Sequence, residues 1–253
     1  MKERSTLERM RRGREGFTLL ELMVVVGLVG ILAAIAAPSM AVARNDRVAF
    51  DFARQTSEIF HNARARSSGR GAAHLVIFTT DSTWGGGDRG AVYSFEALDG
   101  VAAPAGPNPS PTCRSAAQWA DVASYTPSGT WPTFPRARVI DWFNVNTSSA
   151  NSAQAIEDMR MVAHLTNTTT VSPIPHVPGA AIGAVAVCTT PNGSTFVGTG
   201  ESPAAAIGAM VAQTETYKNT WEVDVMRRRG GTPVGLIRRV IFTGAAAPRI
   251  KSE

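Results

Sequence analysis

One carboxylate, Glu21, stands inside the run FTLLELMVVVGLVGILAAIAA from Phe17 to Ala37. A charge inside an apolar helix is costly and needs a cation, so the chemistry this spacing points to is ion pairing. The other chemistry-bearing residues are scattered. His61, His74, His164 and His176 have no Cys or acidic partner at ligand spacing, which reads as surface or satisfied core histidines and not metal ligands. Cys113 and Cys188 lack the spacing of a zinc site. There is no G-x-S-x-G elbow, no H-E-x-x-H pair and no phosphate loop, Gly85 to Gly87 being too short for one. The sequence points away from an enzyme and implies no catalytic residues, no cofactor and no metal.

Glu21 must be positioned by the helix that carries it. From Phe17 to Ala37 that helix would be about 31 Å long, enough to cross a hydrocarbon core of about 30 Å once. Its Phe, Leu, Ile and Val residues favour insertion by roughly 4–7 kcal/mol, against at most about 3.5 kcal/mol for the carboxylate. The preceding segment, Met1 to Gly16, holds six Lys/Arg against three Glu. That excess keeps it on the cytoplasmic side and sends the rest of the chain outward. The competing readings are a cleaved secretory signal and a plain membrane anchor. Against the first, the apolar run exceeds a signal core of about 7–15 residues, Pro38 would follow the cut, and Glu21 has no role in a discarded peptide.

Gly16, Phe17, Glu21 and Pro38 fall in the order and spacing of a class III prepilin leader. The chain thereby resembles the superfamily of type IV pilins and type II secretion pseudopilins. The resemblance implies that a prepilin peptidase cuts after Gly16 and methylates the new amino terminus at Phe17. It also implies that Glu21 pairs with the methylated ammonium of Phe17 on a neighbouring subunit, or with its own before docking. Such pairing sets axial register, because breaking a buried ion pair costs about 3–5 kcal/mol. Gly27 and Gly30 lie near one helical face and either let neighbouring helices approach or reflect ordinary membrane-helix composition. Pro38 withholds a backbone donor, so a kink or local melting is expected near Ala34 to Pro38.

Beyond the leader the formal charge is only +2 of the chain's +5, which weakens any argument from whole-chain charge to nucleic acid. Ser39 to Ser67 has no Gly or Pro and carries Val48, Phe52, Ile59 and Ala63 at helical spacing, with Arg44, Asp51, Arg54 and Glu58 mostly on other faces. The first helix is expected from Phe17 to about Ser67, ended by Gly69 and Gly71. Ala73 to Thr80 and Ala91 to Glu96 read as strands around a flexible turn. The segment Ala53 to Thr80 is similar to the GspH/FimT branch, as are Ala184 to Val197 (strand, Pro-Asn-Gly turn, strand) and the closing pair Thr220 to Arg227 and Leu236 to Thr243. The expected fold class is α+β: a long N-terminal hydrophobic helix packed on an antiparallel, sandwich-like β head, the pilin fold. The expected domains are a leader (1–16), a membrane and filament-core half of the helix (17–37), an amphipathic half (38–68) and a β-rich head (69–253). Irregular insertions are expected at about 97–135 and 148–172, the second around a short helix near Ala153 to Leu165. In the first, Trp119, Tyr125, Trp131 and Phe134 either pack the loop on the sheet or form a ligand surface.

Two features remain open. An exported location permits a bridge between Cys113 and Cys188, the alternative being two unpaired thiols. Arg227, Arg228, Arg229, Arg238, Arg239, Arg249 and Lys251 gather near the carboxyl end. If Thr220 to Arg229 and Val234 to Thr243 pair as a hairpin, several could share a face and meet DNA phosphates, as the resemblance to DNA-binding competence pilins suggests. The alternative is a solvated charged edge. The expected function is a structural minor pilin or pseudopilin, assembled into a type IV pilus or secretion pseudopilus. Its expected partners are other pilins through the N-terminal helix, the peptidase, the inner-membrane assembly platform, membrane lipid before assembly, and DNA under the alternative reading. The expected location is the bacterial inner membrane, single-pass, then the fibre.

Overall fold

The computed structural model describes residues 17–84, 89–101, 108–113, 116–123, 136–145, 158–166, 182–212, 220–229, 231–242 and 247–252. The leader with Gly16, the aromatics Tyr125, Trp131 and Phe134, and residues 148–157 and 167–172 of the second insertion lie outside the described residues. By internal contacts the chain divides into residues 1–44 and 45–253.

Helix α1 spans Leu19–Arg70 and ends at Gly71, whose φ of 68° is the left-handed conformation that closes helices. It runs unbroken across Pro38, so the local melting expected there does not occur. A proline removes the donor of one i→i−4 bond, and the turns on either side carry the helix through.

The strands follow in two antiparallel sheets. The first has the order β3 (Ala137–Asn144), β2 (Ala91–Ala97), β1 (His74–Thr79), β5 (Ala184–Thr189), β6 (Thr195–Gly200), β7 (Val211–Ala212). The second has the order β10 (Arg249–Ser252), β9 (Thr232–Phe242), β8 (Thr220–Arg229), β4 (Asp158–Thr166). The strand expectations at 73–80, 91–96, 184–197, 220–227 and 236–243 all fall on strands. The helix expected near 153–165 is corrected: Asp158–Thr166 is a strand along its whole length, paired with β8 from Asp158↔Arg228 to Thr166↔Thr220. Its apolar residues alternate, with Met161 and Ala163 in the core and Arg160 and His164 on the other face, a period of two that suits a sheet.

Two hydrophobic cores lie on opposite faces of the first sheet. One gathers Ala49, Phe52, Ile59, Phe60 and Ala63 of α1 with Val76, Phe78, Val92 and Val185 of the first sheet and Trp221, Val223, Val225, Val240 and Phe242 of the second. Phe60 packs at 5.1 Å from the Trp221 ring centre and 4.3 Å from that of Phe242. Val48 is not part of it: at 38 % exposure it belongs to the solvent side, and the buried stripe runs instead through Ala49, Phe52, Ala53, Thr56, Ile59, Phe60, Ala63 and Ser67. These positions recur every three or four residues, whereas Val48 precedes the stripe by one position and turns away.

The second core holds Leu75, Ile77, Tyr93, Phe95, Ala186 and Phe196 against Trp119, Val122, Ala206 and Ile207. Trp119 ends a short 3₁₀ turn, Ala116–Trp119, that continues into helix α2 (Ala120–Ala123). Gln118 Nε2 anchors this segment by donating to the carbonyls of Leu98 and Arg136. Part of the first insertion is therefore a packed cover, as the aromatic Trp119 suggested. Helix α3 (Pro203–Gly208) covers β6, where a side chain at Gly198 would collide with the carbonyl of Ala206. Because both faces of β1 are covered, its sequence is a continuous apolar run and not an alternation.

Candidate functional site

At the start of α1, Thr18 is the capping residue: its Oγ1 accepts from the Glu21 amide at 3.2 Å, and its carbonyl accepts from the Leu22 amide at 3.2 Å. Thr18-Leu19-Leu20-Glu21 thus has the spacing of a capping box, with Glu21 at the third helical position. The partial positive charge of a helix start favours a carboxylate there. The Thr18-x-x-Glu21 spacing that signals this cap is present in the sequence. Phe17 is exposed immediately before the cap. From Leu19 to Ala36 the helix is long and apolar enough to cross a membrane, and none of that stretch is buried. Gly27 and Gly30 have open space around them. A single polar group at the head of an uncovered apolar rod can do one kind of chemistry: pair with a cation and let the rest of the rod bury itself in lipid or against other rods.

Residues 11–37 match the family described as the prokaryotic N-terminal methylation motif. No curated protein and no solved structure matches the chain. The matched span contains Gly16, Phe17 and Glu21, and it identifies a class III signal of the type IV pilin-like kind. Together with one membrane-length helix and an α+β head, it supports a pilin-like or pseudopilin-like subunit.

The remaining sequence-derived residues are spread over the head. Cys113 and Cys188 form a disulfide with Cα atoms 5.9 Å apart, joining the first insertion to β5. The C-terminal basic residues are not assembled on one face. Arg227 is 2 % exposed and its Nη2 lies 2.9 Å from Asp46 Oδ1 of α1. Arg238 hydrogen-bonds Ser252 and its guanidinium lies 5.7 Å from the Phe50 ring centre, also toward α1. Arg239 points the other way, with Nε 2.8 Å from Asp224 Oδ1 and 3.1 Å from Glu222 Oε2. Arg228 is half-buried in β8, Arg229 ends that strand, and Arg249 and Lys251 are exposed on β10. Of the histidines, His61 is exposed, His164 is buried 3.7 Å from Asp224, and His176 lies outside the described residues.

Sequence reading missed a buried charged cluster at the end of α1. Glu96 of β2 is fully buried, with Oε1 2.9 Å from Arg70 Nε and Oε2 bonded to Arg138 Nη2 of β3. His74 of β1 is its cross-strand neighbour, also fully buried, and neither ring nitrogen has a hydrogen-bond partner among the described residues. Burial pushes His74 down to about 4; Glu96 pulls the other way, and Arg66, Arg70 and Arg138 add to the lowering.

Proposed function

We propose that this protein is a minor pilin or pseudopilin: a structural, non-enzymatic subunit cut after Gly16, methylated at Phe17, held in the bacterial inner membrane by residues 17–37, and then drawn into a type IV pilus or secretion pseudopilus. The observation that carries this reading is Glu21 at the head of a fully exposed, membrane-length apolar helix within a matched methylation motif. In a filament that carboxylate is offset by the methylated ammonium of Phe17 on a neighbouring subunit, which fixes axial register because a misplaced subunit leaves two charges uncompensated. The large head with its irregular insertions suits a low-copy subunit of the priming or tip complex, because a major subunit must pack a compact head on every side, and the strand and turn sequences favour the GspH/FimT branch. Binding of DNA through the C-terminal cluster is the less favoured reading, since Arg227 and Arg239 are engaged with carboxylates.

The test is a pair of substitutions followed in cells. Gly16→Ala is expected to leave the precursor uncut, while Glu21→Ala is expected to be cut and inserted yet incorporated into fibres several-fold less efficiently. Wild-type incorporation of the Glu21→Ala subunit would remove the pairing mechanism.

A further inference from the structure

The cluster at the end of α1 holds more positive charge than its own acid offsets. Arg66, Arg70 and Arg138 all act electrostatically on His74, and Glu96 is the one carboxylate among the groups acting on it. With His74 neutral, the groups acting on it among the described residues are three guanidiniums and one carboxylate, an excess of two charges. The C-terminal carbonyls of α1 offset roughly half a charge of that. Arg70 and Arg138 are each about half exposed although both are tied to the buried Glu96. Glu96 therefore orients their forks from beneath while leaving donor groups open to solvent. Arg66 is exposed, lies one helical turn from Arg70, about 6 Å along the axis, and makes no ion pair among the described residues. Beneath the arginines lies the fully buried His74 imidazole, which has no hydrogen-bond partner among the described residues.

We propose that Arg66, Arg70 and Arg138 form an anion site that receives a phosphate group carried by another molecule. Arg70 and Arg138 converge on Glu96 from two elements with part of each fork left open, and Arg66 stands one helical turn from Arg70; guanidinium is the side chain whose planar donors bind phosphate bidentately. The remaining excess, between one and two charges, likewise suits a phosphate, which carries about −1.5 to −2 near pH 7. This site lies apart from the C-terminal basic residues and uses none of them.

The experiment is calorimetric titration of the mature full-length chain, solubilised in neutral detergent, with pyrophosphate at low salt. Saturable binding is expected, at least tenfold weaker in Arg66→Ala and weaker again as salt rises. Arg66→Ala should melt like the wild type because it breaks no ion pair. Arg138→Lys, which keeps the charge and loses the fork, should also bind more weakly. Arg54→Ala, on the same helix, should bind like the wild type. Displacement by inorganic phosphate, by glycerol 3-phosphate as a lipid head group, or by a short oligonucleotide then identifies the source of the phosphate. Absence of saturable binding, wild-type affinity in Arg66→Ala, or an equal loss in Arg54→Ala would each overturn the proposal.

Discussion

Protonating His74 would bury a charge at a position closed to water and add a fourth cation beside Arg66, Arg70 and Arg138, with Glu96 the carboxylate that offsets it among the described residues. The folded chain therefore takes up this proton only near pH 4, whereas an unfolded imidazole takes it near 6.5. Between those values the unfolded state binds more protons, so stability is complete above about pH 6.5 and declines as pH falls toward 4. Denaturant titrations at pH 7 and pH 4.5 should show wild type losing on the order of a few kcal/mol more than His74→Gln, in which this titration is gone. Equal pH dependence in the two proteins would show that His74 is not the acid-sensitive group. Neither His74 nor Glu96 declared itself in the sequence, because their proximity arises only when strands 22 residues apart pair in register. Glu21 was legible for the opposite reason: its contrast with its neighbours is local.

For the elements, α1 illustrates what periodicity conveys and what it leaves out. Phe52, Ile59 and Ala63 are in the core as their spacing indicated, yet the stripe's centre is offset by about one residue from the one drawn through Val48. An apolar side chain on a helix has two flanks, and only the sheets decide which flank is covered. This difference is measurable. Phe60→Ala, which strips an aromatic packed against both rings of the stacked Trp221–Phe242 pair, should cost about 3–5 kcal/mol in a denaturant titration, while Val48→Ala should change stability by no more than about 0.5 kcal/mol. A large loss at Val48 would mean that its face is covered. Strands β5 and β6 were legible because the Pro191-Asn192-Gly193 turn is written between them, with Gly193 at a φ of 83° and Asn192 Oδ1 accepting from the Ser194 amide. Strand β4 was not, since no Gly or Pro lies within six residues of either end and the pairing with β8 that makes it a strand is about 60 residues distant in sequence.

In the whole molecule, the disulfide closes a loop with a sequence separation of 75 between the packed first insertion and β5. Closing a loop of that length removes about 4 kcal/mol of unfolded-chain entropy on the simplest model. Cys113→Ser with Cys188→Ser is expected to lower stability by about 2–5 kcal/mol, measured by denaturation with and without reductant. An unchanged midpoint in the double variant would mean that the second core holds its cover without the bridge. The α+β class and most of the head's strands could be read from apolar runs and turns, whereas the second core could not, because it is built from segments that look irregular until Trp119, Val122 and Ile207 are seen against the sheet. The membrane-length helix was legible at once, because its apolar run is continuous in the sequence.

Assembly through Glu21 requires that the apolar rod survive maturation with the carboxylate near a new, methylated end. Intact-mass and N-terminal peptide mass spectrometry of the protein recovered from its native host decides whether it does. The expected result is a chain beginning at Phe17 with a single methyl group on its amine. A mature chain beginning beyond Ala37 would contradict it, because the rod and its carboxylate would then have been discarded.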